Sequence, residues 1–439
     1  METATAIEHV EVVEQAPVVW RPATKLGFRL AFVLFSLFIF PFPVDNIPYV
    51  SKISGLYEKL WRAIVPWVGK HVLRIGHDIV LVETGSGDTT WGWVQAFSIL
   101  AIAVIAAVVW SALDRKRPNY TRLYKWFTLV LRYSLAGTMF VYGLSKVFPL
   151  QMPAPMLRTL LEPYGEASPM GILWTFIGAS KSYEIFTGSV ETVAGLLLIF
   201  PRTSTLGAML AAAAMFQVWM LNMCYDVPVK LYSFLLLLEA VFLFLPYIPR
   251  LANLLLFQRP VQPRPAGPFF QRKWANRAAI IVPVLFGLYL FGSTVYRSYG
   301  QAKGPYGFLG TKPPLHGVWN VDELSIDGQI QPPLLSDADR WHRLIYDFPK
   351  FVSVQPMDGP MDYLPLEIDT DNKTMAFTKR KDPNWKADFK YQQPSPEELV
   401  LDGEIDGHKA HAKLSRFDES KFLLTNRGFH WVQEFPFNR

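Results

Sequence analysis

KLYSFLLLLEAVFLFLPYI, residues 230 to 248, is a nearly unbroken apolar run that contains a single carboxylate, Glu239. A helix needs about 20 apolar residues to cross hydrocarbon, where it satisfies its own backbone hydrogen bonds, so this run reads as a membrane-spanning helix. Moving outward with a window of about 19 residues finds further runs at 26 to 44, 91 to 113, 127 to 149, 183 to 200, 204 to 223 and 277 to 296. The expected fold class is therefore an all-α membrane bundle of about seven transmembrane helices. Beyond it the pattern changes.

Composition supports this division. The chain is 51% hydrophobic and 15% aromatic against 18% charged, which fits a membrane protein, but most Asp and Glu lie between 300 and 439. There, short runs of alternating apolar and polar residues are separated by Asp-Asn, Asp-Gly and Pro turns, which predicts a closed β-barrel or a β-sandwich. The expected strands include Gly317 to Leu324, Phe351 to Val354, His408 to Arg416, Phe422 to Thr425 and His430 to Glu434, with the clearest hairpin around Asp369 to Lys373. Arg340-Trp341-His342-Arg343 reads as a solvated surface helix, or else as a basic aromatic cluster that meets lipid head groups or a partner.

The net charge of +6 does not indicate nucleic acid, because the basic residues cluster between apolar runs. Arg115, Lys116, Arg117, Arg122 and Lys125 form one such loop, and Arg250, Arg259, Arg264, Arg272, Lys273 and Arg277 form another. Placed inside by the positive-inside rule, they give a cytoplasmic tail at 1–25, a hairpin at 26–113, a basic cytoplasmic loop at 249–276, a last helix at 277–296 and an extracytoplasmic β domain at 305–439. The expected location is a bacterial inner membrane, with the β domain periplasmic. Arg202, in the tight turn Pro201-Arg202-Thr203, fits the cytoplasmic side. The acidic start METATAIEHVEVVEQ is unlike a cleavable signal, so the first run is expected to remain as an anchor. Between the first two runs, Leu56, Leu60, Ile64, Val65, Val68 and Val72 recur at helical spacing among basic residues, which describes an amphipathic helix that either lies on the membrane surface or under the C-terminal domain, or packs with one solvated face.

Ionisable residues inside apolar helices are costly, so they carry the functional signal. Tyr142, Lys146, Glu184, Asn222, Asp226 and Lys230 are expected near the outer surface, with Gln151 beside them and Glu191 and Glu239 deeper. This layer is either a set of interfacial salt bridges or a polar pocket for a quinone or similar amphipathic head group. Chain direction predicts that Lys146 pairs with Glu184, since one helix ends where the next begins. Glu184 and Glu191 are seven residues apart and share a helix face. Gly188, Gly195, Gly207 and Ala208 allow close packing around them. The lone Cys224 excludes an internal disulfide and a CxxC redox pair, so redox work would need a partner or a bound cofactor.

Tyr142-Gly143-Leu144-Ser145-Lys146, Glu191-Thr192-Val193-Ala194-Gly195-Leu196-Leu197-Leu198 and Pro201-Arg202-Thr203 together resemble the DoxX family of small four-helix membrane proteins. The resemblance covers about residues 127–248 and singles out Gly143, Lys146, Glu191, Gly195 and Arg202. It implies membrane-bound redox work, with a quinone as the possible cofactor, none of it covalently bound. The extra leading hairpin, the seventh helix and the β domain depart from that family.

In the β domain, His316-Gly317-Val318-Trp319 and Arg427 before Gly428-Phe429-His430-Trp431 resemble a lipocalin-like Gly-x-Trp strand with a late arginine over its Trp. Such a barrel either holds one apolar ligand or has a filled core and a docking role. The histidines match no metal-ligand spacing, so no metal site is expected. No Ser/His/Asp, P-loop or dinucleotide signature stands out. The expected function is a membrane subunit of a quinone-linked or oxidative-stress-related oxidoreductase system. The alternatives are a non-catalytic scaffold or assembly subunit that recruits a periplasmic partner, and a carrier or channel for a small solute or lipid.

Overall fold

A computed structural model describes residues 19–46, 51–262, 267–380, 382 and 384–438. The acidic residues 1–18 and Arg264 of the basic loop lie outside them. The helices are α1 (Pro22–Ile39), α2 (Ser51–His71), α3 (Thr90–Leu113), α4 (Thr121–Val147), α5 (Leu157–Leu161), α6 (Pro169–Gly178), α7 (Lys181–Ile199), α8 (Ser204–Cys224), α9 (Lys230–Phe244), α10 (Ile248–Leu255) and α11 (Lys273–Ala302). Among the described residues nine strands follow, β1 (Gly317–Ile326), β2 (Gln329–Ile330), β3 (Trp341–Phe348), β4 (Phe351–Pro356), β5 (Asp362–Asp369), β6 (Thr374–Thr378), β7 (Lys386–Ser395), β8 (Glu398–Ile405) and β9 (His408–Arg416), and then α12 (Leu423–Asn426).

Among the described residues, six helices are long and apolar enough to cross a membrane: α1, α3, α4, α8, α11, and the continuous segment Lys230–Leu255 that joins α9 to α10. α7 forms as expected over 19 residues but is not one of the six, because Glu184 and Glu191 interrupt its apolar run. The chain divides into two compact units, Met1–Met139 with Val193–Leu290, and Phe140–Thr192 with Phe291–Arg439.

In the first unit, α1 packs on α3 and α4 through aromatic rings, among them Phe32 against Trp110 and Phe127. The amphipathic helix is present as α2, whose Trp61 and Val65 are buried with Ile79, Trp91 and Val94. Gly207 lets α8 approach α7 so closely that a Cβ there would lie 2.7 Å from the Leu198 backbone nitrogen. Glu239 is fully buried, and Ser134 of α4 faces it without completing a hydrogen bond.

The second unit contains a closed antiparallel barrel. Each strand from β3 to β8 pairs with the next, β1 pairs with β3, and β1 closes on β9 from Trp319↔Arg416 to Ile326↔Ala410; β2 is a short flap on β1. Side chains alternate across each strand, and the inward set includes Trp319, Trp341, Tyr346, Phe377 and Phe389, which pack together and fill the interior. Asp327-Gly328 and Asp406-Gly407 both have positive φ, as two-residue hairpin turns of the right twist require. The Asp369 hairpin also forms, with Asp369 Oδ1 accepting from the backbone N–H groups of Asp371 and Asn372.

Four expectations are corrected here. Arg340 to Arg343 is not a surface helix but the entry to β3, with Arg340 and Trp341 buried; Arg340 donates to the backbone oxygens of Val321, Gln331 and Trp341. Phe422 to Thr425 is not a strand, because Asp418 caps a turn at Ser420 and α12 follows. His430 to Glu434 forms no strand either, since no neighbour is left to pair with it once β1 has closed on β9. Arg427 does not cover Trp319; its guanidinium lies 3.9 Å from the Phe437 ring centroid, while Trp319 donates to the Leu315 carbonyl.

Candidate functional site

The site begins with two glycines. Gly143 on α4 and Gly188 on α7 bring the backbones into contact; a Cβ at Gly143 would lie 2.8 Å from the Gly188 carbonyl oxygen, and one at Gly188 would lie 2.6 Å from Lys146 Cβ. One turn beyond each glycine stands a charge, Lys146 in Gly143-x-x-Lys146 and Glu191 in Gly188-x-x-Glu191. Lys146 Nζ donates to both Glu191 oxygens, at 2.9 and 2.7 Å, and both side chains are buried. The ammonium also sits 5.8 Å from the Tyr142 ring centroid. Charge-assisted contacts of this kind are strong, and a low dielectric strengthens them further.

Lys146 therefore pairs with Glu191 and not with Glu184. The expectation had assumed that α4 and α7 reach the membrane surface at one level. The glycine contact instead sets Gly143 opposite Gly188 and Thr192, so the first turns of α7 extend past the end of α4. Glu184, also buried, accepts the Met152 backbone N–H at 3.0 Å through Oε1, while its Oε2 has no hydrogen-bond partner among the described residues. Gln151 holds the same loop in place, since it receives the Ser145 hydroxyl and its carbonyl accepts from Trp174 Nε1. Tyr142, Lys146, Glu184 and Glu191 thus belong to one unit and line one helix pair.

Asn222, Asp226 and Lys230 belong to the other unit and make their contacts there. Asn222 Nδ2 donates to Ser233 Oγ at 3.0 Å. Lys230 Nζ meets Asp226 at 2.8 Å on an exposed turn and lies 3.8 Å from Asp88. The Asp88 carboxylate accepts from the backbone N–H groups of Lys230 and Leu231, which caps α9 from 142 residues away and explains why the Gly85 to Thr89 stretch is held. Cys224 is exposed and Arg202 lies in an exposed turn. Sequence reasoning missed Arg29, buried in α1 and bound to Tyr120 Oη, Ser111 Oγ and the Asp114 carbonyl. A lone arginine inside the first apolar run was the available signal.

The barrel holds two further features. His408 and His411 each bind their own aspartate, Asp327 at 2.7 Å and Asp402 at 2.5 Å, and among the described residues no group of His, Cys, Asp and Glu is arranged to hold a metal ion. An open groove of about 750 Å³ runs over the outer face of β5 to β8, lined by Glu367, Asp369, Asp388, Asp402 and Glu404 with Lys390.

The chain is 33% identical over 121 residues to a protein of Bacillus subtilis (strain 168) described as uncharacterized protein YwoB; the match covers 26% of this chain and 71% of that protein. No family model matches the chain. No solved structure matches it.

Proposed function

The chain belongs to the family of the uncharacterized Bacillus subtilis protein YwoB, and from that premise we propose that it is an integral membrane subunit of a quinone-linked redox system. In this reading the Lys146–Glu191 pair and Glu184 receive the head group of a quinone-class ligand. The observation that carries it is the Glu184 carboxyl, buried two turns from Glu191 on the same helix, with one oxygen unpartnered among the described residues. A buried polar atom without a partner is costly, and a ligand carbonyl or hydroxyl would relieve that cost. The Lys146 ammonium is already bound to both Glu191 oxygens and the Tyr142 carbonyl, so the donor suited to a quinone oxygen is a protonated Glu184 carboxyl. A quinone becomes a quinol by taking up electrons and an equal number of protons. The carboxyls can carry the protons, whereas the electrons must come from a partner, since the chain's one cysteine cannot form a dithiol couple.

This reading includes orientation. α7 counts as a further crossing, because Lys146 neutralises Glu191 and removes much of the cost of that charge in hydrocarbon. With the basic loops at 114–126 and 249–276 in the cytoplasm, the barrel lies outside a bacterial inner membrane. The ring contact of Phe148 with Tyr299 sets the end of α4 beside the end of α11, and Lys181 at the start of α7 lies 4.4 Å from the ring of Phe308, which follows α11.

The filled barrel favours one second reading, a scaffold subunit whose outer domain recruits a periplasmic protein. Purification of the full chain in mild detergent, followed by lipid extraction and an absorption spectrum, separates the two. Co-purifying quinone that is lost in Glu184→Gln supports the redox reading. Associated subunits with no quinone, and no binding of added quinone, would overturn it.

A further inference from the structure

The segment that follows the barrel presents an unusual surface. Leu423, Leu424, Phe429, Trp431, Val432 and Phe435 are all more than half exposed, and Trp431 reaches 91%. Phe429 and Trp431 pack edge to face at 5.0 Å, so the rings form a patch and are not scattered. Contiguous exposed apolar surface of this kind marks an interaction site.

The place where this segment leaves the barrel identifies what covers it. Neighbouring Trp319, Leu344 and Tyr346 face the barrel interior, so Val318 and Ile345 point outward, yet both are fully buried. They are covered by Leu157 and Leu161 of α5, together with Phe417 and Phe422. The Asp347 carboxylate of β3 accepts from the backbone N–H groups of Leu157 and Arg158, both at 3.0 Å, and Arg158 lies over Tyr363. α5 is part of the loop that leaves membrane-spanning α4 and returns through apolar α6. Phe422 is thus fixed at the membrane-proximal face of the barrel, and the exposed residues begin at the next position.

We infer that residues 423–437 form an interfacial anchor that lays its leucines and aromatic rings into the headgroup region of the membrane the helices span. Trp and Phe favour that boundary, and Lys421, on the turn where the segment leaves the barrel, is placed to reach lipid phosphates. The anchor fixes the barrel against the bilayer from a second point, in addition to α11.

The test uses the full chain with Cys224→Ser and a single new cysteine at Trp431→Cys or Val432→Cys, each labelled with a polarity-sensitive fluorophore. Asp371→Cys, in the exposed β5–β6 turn, is the reference. In vesicles of phosphatidylcholine and phosphatidylglycerol carrying a nitroxide lipid, both sites should show blue-shifted emission and at least about two-fold more quenching than the reference. Emission and quenching equal to the reference would overturn the inference. A blue shift without lipid quenching would also overturn it, because it would mean that protein covers the segment.

Discussion

Lys146 and Glu191 are each too costly to leave alone inside an apolar bundle, and the bidentate contact between them is what allows both. Removing one partner should therefore cost far more than removing both. Lys146→Met leaves a buried carboxylate and is expected to destabilise the helical part by about 3–5 kcal/mol, while Lys146→Met with Glu191→Gln should recover much of that loss. Thermal unfolding of detergent-purified variants measures it, and additive losses would mean that the pair does not hold the helices together. The charges themselves were legible, since Lys146, Glu184 and Glu191 interrupt apolar runs. Their pairing was not, because helix register is set by Gly143 and Gly188, whose contact is a property of two surfaces and not of either sequence. Arg29 escaped notice for a similar reason: its partners Ser111, Asp114 and Tyr120 lie more than 80 residues away.

Strands and turns were readable where local chemistry is strong, as at Asp369 and the two Asp-Gly hairpins, and unreadable where closure of the barrel decides. β3 follows directly on Arg340 and carries His342 and Arg343, yet it lies between β1 and β4, and its alternation places Trp341 inside. The segment beyond β9 has apolar residues but no free edge to join. Two histidines on the barrel give it a pH response. Burial holds both His316 and His342 below the ordinary value of 6.5, helped by the nearby charges of Lys312 at His316 and of Arg343 and Arg340 at His342. The unfolded chain then binds more protons than the folded one in the interval just below 6.5, so stability from these groups is present above it and is lost as pH falls through the depressed folded values. The barrel's unfolding midpoint should drop between neutral and mildly acidic pH, and His316→Asn with His342→Asn should flatten that drop. An unchanged slope in the double variant would assign the pH response elsewhere.

At the scale of the whole molecule, hydropathy and loop charge sufficed for the division into an apolar helical part and a β part, whereas the internal partition did not follow the linear order. α4, α7 and α11 each contribute to both compact units, so no cut in the sequence separates them. The proposed orientation predicts that alkaline phosphatase fused after the barrel is active and that the same reporter inserted in the 114–126 loop is inactive; the reverse would move the barrel to the cytoplasm. The central claim is that the polar site between α4 and α7, and not the filled barrel, receives the ligand. Photolabelling of the full chain in its membrane with an azidoquinone, followed by peptide mapping, tests this most directly. Label on the peptides carrying Tyr142 to Lys146 or Glu184 to Glu191, displaced by excess unlabelled quinone, is the predicted result. Displaceable label confined to the barrel strands, or none at all, would contradict it.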